Sequence, residues 1–125
     1  MLNVHEFRSA FFSLTVQESG AILAELNRDQ LTEQDNLEQL DQEFASLVET
    51  FGVRKLAVNL TRLSYLTSSA IGKFIALHRR LNRLEGKLVL CSAGDEVRQI
   101  LESAHLWTYF NIASGPGDAS LMLSA

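Results

Sequence analysis

The run Leu56-Ala57-Val58-Asn59-Leu60-Thr61-Arg62-Leu63-Ser64-Tyr65-Leu66-Thr67-Ser68-Ser69-Ala70-Ile71-Gly72 decides the fold. Its first five residues, entered through Arg54 and Lys55, form a short apolar stretch of the kind that becomes a central strand covered on both faces. After the hydroxyl-rich turn the period changes. Ala70, Ile71, Phe74, Ile75, Leu77, Leu81 and Leu84 recur at helical steps. Lys73, Arg79, Arg80 and Arg83 fall off that face, and the arginines crowd the negative end of the helix dipole just before Gly86. The stretch therefore reads as strand, turn, helix.

The pattern repeats outward. Lys87 to Cys91 predicts another strand, and Asp95-Glu96 opens a helix with inner face Val97, Ile100, Leu101 and Ala104. Trp107, Tyr109, Phe110 and Ile112 suggest a last short strand, and Ser114-Gly115-Pro116-Gly117 then breaks regular structure. Toward the N-terminus, Leu37, Leu40, Phe44, Leu47, Val48 and Phe51 lie on one helical face, with Thr32 and Asp35 as the expected cap and Gly52 as the stop. Residues 12–26 read as a hairpin turning at Glu18-Ser19-Gly20.

Strands alternating with helices pair in parallel, and the hairpin adds an antiparallel partner. The expected class is α/β, a mixed central sheet with helices packed mainly on one face. The 125 residues, 46% of them hydrophobic, suffice for one core and not for two. We therefore expect a single domain over 1–125, with its core at about 12–113 and a tail or short helix over 114–125.

Composition removes several functions. A net charge of -4 with acids and bases interspersed leaves no basic stripe for nucleic acid. No apolar run is long enough to cross a bilayer, and the charged start does not resemble a secretory signal, so a cytoplasmic setting is expected. Cys91 stands alone inside an apolar strand and reads as packing. His5, His78 and His105 lie in separate elements without ligand-spaced neighbours, and neither common phosphate-loop spacing occurs. We expect no catalytic residues, no metal and no cofactor. A phosphate-accepting receiver domain would need an acidic cluster at its strand ends, whereas the central strand here ends in Asn59.

What remains is the turn. Ser and Thr cap helices because the side-chain oxygen accepts from an unpaired first-turn amide. Three hydroxyls in succession, Thr67, Ser68 and Ser69, exceed what one cap requires. A helix N-terminus also favours a phosphate, so capping and phosphorylation are compatible.

Over residues 14–112 the chain resembles a STAS domain of the bacterial anti-sigma-factor antagonist type. The resemblance is carried by Val58-Asn59-Leu60-Thr61, by Leu63-Ser64-Tyr65-Leu66, by the turn and its helix, and by Gly86-Lys87-Leu88-Val89-Leu90-Cys91 with the helix after it. The family turn usually reads Asp-Ser-Ser-Gly-Leu-Gly. Ser68 and Ser69 fall on its serines, Ile71 on its Leu and Gly72 on its second Gly. Thr67 replaces the Asp, Ala70 the first Gly, and Asn59 the Asp that usually ends the strand.

The resemblance implies that the unmodified protein binds an anti-sigma factor that is also a serine kinase, freeing a sigma factor. It implies that phosphorylation at Ser68, with Thr67 and Ser69 as alternatives, ends that binding until a serine phosphatase restores it. The implied contact surface comprises Arg28, Asp29, Asn59, Thr61, Leu63, Tyr65, Thr67, Ser68, Ser69, Ile71, Gly72, Lys73, Ser92 and Asp95. A weak homodimer is compatible with this. The competing expectation is a STAS module that senses a small ligand or nucleotide and has no sigma-factor partner.

Overall fold

The computed structural model describes residues 3–124. After a 3-10 turn at Val4–Glu6, the chain forms β1 (Phe12–Val16), β2 (Ile22–Leu26), β3 (Gln30–Leu31), α1 (Leu37–Glu49), β4 (Lys55–Asn59), β5 (Tyr65–Leu66), α2 (Ser68–Arg83), β6 (Lys87–Cys91), α3 (Asp95–Ser103), β7 (Asn111–Ala113) and α4 (Pro116–Ser124). The main sheet has the order β1-β2-β4-β6-β7. Only β1 and β2 are antiparallel, and β2, β4, β6 and β7 run parallel to one another. The expected mixed α/β sheet is present.

This strand order explains where the helices go. Three successive crossovers step across the sheet in one direction, and crossovers of one hand then deliver their helices to one face. Leu56 and Val58 of β4, and Leu88 and Leu90 of β6, point into that layer and join Phe44, Phe74, Leu81, Val97 and Leu101 in the main core. Alternation sends Ala57, Val89 and Cys91 to the other face, where Ala119 and Leu123 of α4 cover them. Of the tail or short helix expected over 114–125, the helix forms on the second face as α4; Pro116 and Gly117, expected to break regular structure, open it instead, proline being tolerated in the first turn of a helix. The small Ala21, Ala57 and Ala113 side chains give it a shallow bed.

Two elements differ from the expected placement. The last strand is Asn111–Ala113, so Trp107, Tyr109 and Phe110 precede it. Trp107 stacks beneath Arg98 at 4.8 Å, while Tyr109 and Phe110 pack edge-on against His78. The cap of α1 is Asn36, whose side chain accepts from Gln39 N at 3.0 Å. Asp35 instead accepts from Thr32 N at 2.8 Å and pairs with Arg28 at 3.1 Å, which ties the preceding loop together. Both residues retain a local hydrogen-bonding role, one turn earlier than the helix start.

Two further contacts secure the frame. Gly52 adopts φ +69, the left-handed geometry that ends α1. Glu43, only 3% exposed, accepts from Ala10 N and Gln39 Nε2 as well as from the Ser9 hydroxyl. That carboxylate fastens the N-terminal segment to α1 and satisfies donors that burial would otherwise orphan.

Candidate functional site

The turn is built from β4 forward. Asn59 ends the strand, and its Oδ1 accepts from Thr61 N at 2.9 Å and Thr61 Oγ1 at 2.5 Å, closing a local Asx turn. The chain then returns beside residues 29–31. Asp29 O receives Ser64 N at 2.7 Å and Ser64 Oγ at 3.0 Å, β3 pairs in parallel with β5, and Thr67 N donates to Leu31 O at 3.0 Å. This two-stranded sheet delivers the turn to a fixed place, and it was not anticipated from the sequence. Two-residue strands lack a periodicity from which they could be read.

Helix α2 begins at Ser68, with Thr67 as its N-cap in extended conformation. Thr67 Oγ1 accepts from Ala70 N at 3.4 Å. Capping therefore belongs to Thr67, and Ser68 stands as the first helical residue, exposed. Asp and Thr are both N-cap formers, so Thr67 preserves the cap that the family's Asp could supply while removing its charge.

Thr67 and Ser68 stand at the edge of an open groove of about 920 Å3. One wall is Ser64, Tyr65, Leu66, Thr67, Ser68 and Ile71, and the other is the flank of α3 through Glu96, Gln99, Ile100, Ser103 and Ala104. Glu33 stands at the turn side. Its carboxyl is held below the ordinary carboxylate range, first by a hydrogen bond from its own backbone and then by the Ser69 and Thr67 hydroxyls. The lining carries two carboxylates, Glu33 and Glu96, and no cation.

The residues expected at a contact surface divide into several groups. Tyr65 (49% exposed), Thr67 and Ser68 line the groove from its surface. Ile71 also lines it but is buried, and Leu63 belongs to the core, so both support the surface from beneath. Ser69 and Gly72 are exposed on the first turns of α2, and Lys73 is half-buried there. Arg28 is engaged by Asp35, Ala10 O and the Phe11 ring, 4.5 Å from the ring centroid, while Asp29 is exposed and acts through its carbonyl. Asn59 is the last residue of β4, Thr61 and Ser92 lie in the loops that follow β4 and β6, and Asp95 is the first residue of α3, all four outside the groove lining. Ser92 is half-buried with φ +60.

Glu33, Glu96, Gln99, Ser103 and the outward role of Ile100 and Ala104 escaped the sequence reading. Ile100 and Ala104 had been expected under α3, yet they are half-buried and exposed respectively. They follow Glu96 at steps of four, and this shared stripe lies on the flank of α3, beside Val97 and Leu101, which face the core. That spacing was the available signal.

Cys91 is fully buried, and desolvation raises its thiol above the ordinary value, which makes it unsuited to nucleophilic chemistry. No group of His, Cys, Asp and Glu suited to holding a metal occurs among the described residues. No helix there is long and apolar enough to cross a membrane.

Fold and site together describe a small α/β domain that presents a strand-to-helix hydroxyl turn beside a groove. The chain belongs to the STAS domain family, which matches residues 2–119. A Bordetella bronchiseptica protein provisionally named an anti-sigma factor antagonist, BtrV, is 32% identical over 79 residues, covering 63% of this chain and 67% of that protein. Among solved structures, an anti-sigma-factor antagonist STAS domain protein from Planctomyces limnophilus superposes with a TM-score of 0.78 at 18% identity, over 91% of this chain and 98% of that one. The Bacillus cell fate determinant SpoIIAA in its phosphorylated form gives a TM-score of 0.61 at 20% identity, over 82% of this chain and 91% of that one. These structural likenesses establish the shared fold.

Proposed function

We propose that this chain is an anti-sigma factor antagonist that works by binding in the cytoplasm and not by catalysis. In its unmodified form it holds an anti-sigma factor of the serine-kinase type and so releases a sigma factor. Phosphate on Ser68 ends the complex, and a serine phosphatase restores it. The kinship to BtrV supports the class. The observation that carries the site is Ser68 itself, exposed as the first residue of α2 at the edge of the groove, while Thr67 is occupied with capping.

The switch follows from electrostatics. Phosphorylation adds roughly -1.5 to -2 charges and three acceptor oxygens. The α2 N-terminus tolerates that anion, so the fold survives modification. A partner that covers Ser68 must desolvate the phosphate, and the groove offers carboxylates but no cation to compensate. Binding is lost while the domain stays intact. The ligand-sensing alternative has less support, because the apolar pocket among Leu60, Leu66, Phe74 and Leu101 has a volume of only about 10 Å3 and the larger groove beside Ser68 lies open to solvent.

The test combines purified protein with the anti-sigma factor kinase of the same organism and ATP, followed by intact-mass analysis, fragment mapping and a binding assay. The expected result is one phosphate on Ser68, binding by Ser68→Ala without modification, and no binding by Ser68→Asp. Absence of both complex and phosphate refutes the class. Equal binding by the two variants refutes the switch, and a phosphate mapped to Thr67 or Ser69 reassigns the acceptor.

A further inference from the structure

The main sheet ends on one side in β7, three residues long, and on the other in β1, five residues long. Native sheet edges are protected by shortness, charge or proline. β7 is short, whereas β1 reads Phe12-Ser13-Leu14-Thr15-Val16 and carries neither a charge nor a proline. Ser13, Thr15 and Val16 are exposed, Val16 by 45%.

The β1–β2 ladder shows which backbone groups are left over. Asn27 N donates to Phe11 O and Gln17 N to Ala21 O, both at 2.8 Å, at the two ends of the register that pairs Phe12 with Leu26 and Val16 with Ile22. Antiparallel pairs alternate, so Ser13 and Thr15 bond to β2, while the N–H and C=O groups of Phe12, Leu14 and Val16 point outward. Ser9 Oγ takes Phe12 N at 2.7 Å. Among the described residues, β2 is the one strand that pairs with β1, and the segment before β1 turns away onto α1, where the Ser9 hydroxyl and Ala10 N reach Glu43.

We propose that β1 is a homodimerisation edge, to which a second copy of this chain adds its own β1 in antiparallel register about Leu14, joining the two main sheets into one. The strand complements itself in that register. Each Leu14 N–H donates to the other copy's Leu14 carbonyl, and each Val16 N–H to the other copy's Phe12 carbonyl. Val16 then stands beside Phe12 and Leu14 beside Leu14 on one face, with Ser13 beside Thr15 on the other. A slip of one residue would set apolar side chains against hydroxyls. The nearest charges along the chain, exposed Arg8 and Glu18, are of opposite sign, and the two-fold brings Arg8 of one copy to the end of the pair where Glu18 of the other lies. Five residues a side fall short of the roughly 20–30 of a standard interface, so the dimer is weak and concentration-dependent. No residue of β1 lines the groove beside Ser68, so each copy keeps its groove and the dimer presents two turns.

The test is sedimentation equilibrium of the full chain up to about 1 mM, with amide hydrogen exchange followed by NMR at low and high concentration. A reversible monomer–dimer equilibrium is expected, with exchange at Leu14 and Val16 slowed at high concentration and exchange at Ser13 and Thr15, already in the ladder, unchanged. Val16→Pro deletes an outward N–H that the fold does not use and is expected to raise the dimer Kd about tenfold or more. Val16→Lys keeps the N–H but charges the edge, and is expected to weaken the dimer at unchanged Tm. Leu121→Lys, at a residue 72% exposed on α4, is expected to leave dimerisation as it was. A protein that stays monomeric at the highest concentration overturns the proposal, as does a dimer that both Val16 variants retain or that Leu121→Lys abolishes.

Discussion

Gly72 separates stability from binding more cleanly than any other position at the turn. It is exposed within the first turns of α2, and a Cβ built there meets nothing within 4 Å. Replacing a helical glycine with alanine removes backbone entropy from the unfolded chain, worth about 0.5–1 kcal/mol. With an unfolding entropy of about 2.1 cal/mol/K per residue, the 125 residues give ~0.26 kcal/mol/K, so Gly72→Ala is expected to raise Tm by roughly 2–4 °C. Gly86 is the contrast: its Cβ would lie 2.3 Å from Arg54 O, a backbone atom that also receives Lys87 N at 2.7 Å. Overpacking there is expected to cost about 1–3 kcal/mol, a fall of roughly 4–12 °C. Calorimetric melts of both variants decide the matter, and a lower Tm for Gly72→Ala would refute the reasoning. The same variant then enters the partner-binding assay. Weaker binding by a more stable protein places Gly72 under the partner, and unchanged binding removes it from the contact surface.

Three other outcomes follow from buried groups. Glu43→Ala orphans Ala10 N and the Gln39 amide and is expected to cost about 2 kcal/mol, read as a lower urea midpoint at unchanged slope. His78 is buried with Nδ1 unpartnered, and desolvation lowers its pKa. The unfolded chain therefore binds the proton more readily: stability is complete above the ordinary imidazole value of about 6.5 and declines as pH falls below it. His78→Phe is expected to flatten that decline in urea titrations across the acid range, and an unaltered slope would refute the assignment. Cys91 should resist alkylation in the native protein and react at the rate of a free thiol once urea unfolds it. Fast native labelling would show that α4 opens.

Much of the architecture was legible because it rests on local chemistry. The helical recurrence of Leu40, Phe44, Leu47 and Val48 and the unbroken apolar runs around Leu56 and Leu88 specify which faces need covering, whatever covers them. The hairpin is legible for the same reason, with Gly20 free to adopt φ +87. The placement of Trp107 to Phe110 was not legible. Aromatic residues suit a strand or a packed turn equally, and the proximity of His78 and Arg98 decides between them. For the site, the hydroxyl turn could be found by residue type, but the identity of the cap could not. Any of three hydroxyls could have served until the Leu31 carbonyl held the Thr67 amide in extended geometry.

The sequence by itself determined the α/β class, the hairpin, the alternation of main-sheet strands with helices, and the hydroxyl turn as the place of interest, since each depends on residues near one another in the chain. Tertiary structure alone decided that β3 pairs with β5, that α4 crosses to the second face, and that Glu33 and the Glu96 flank of α3 meet Ser68 around one groove. Those contacts join residues whose separation along the chain leaves no periodic trace. They exist because closing the sheet and burying both of its faces brings them together.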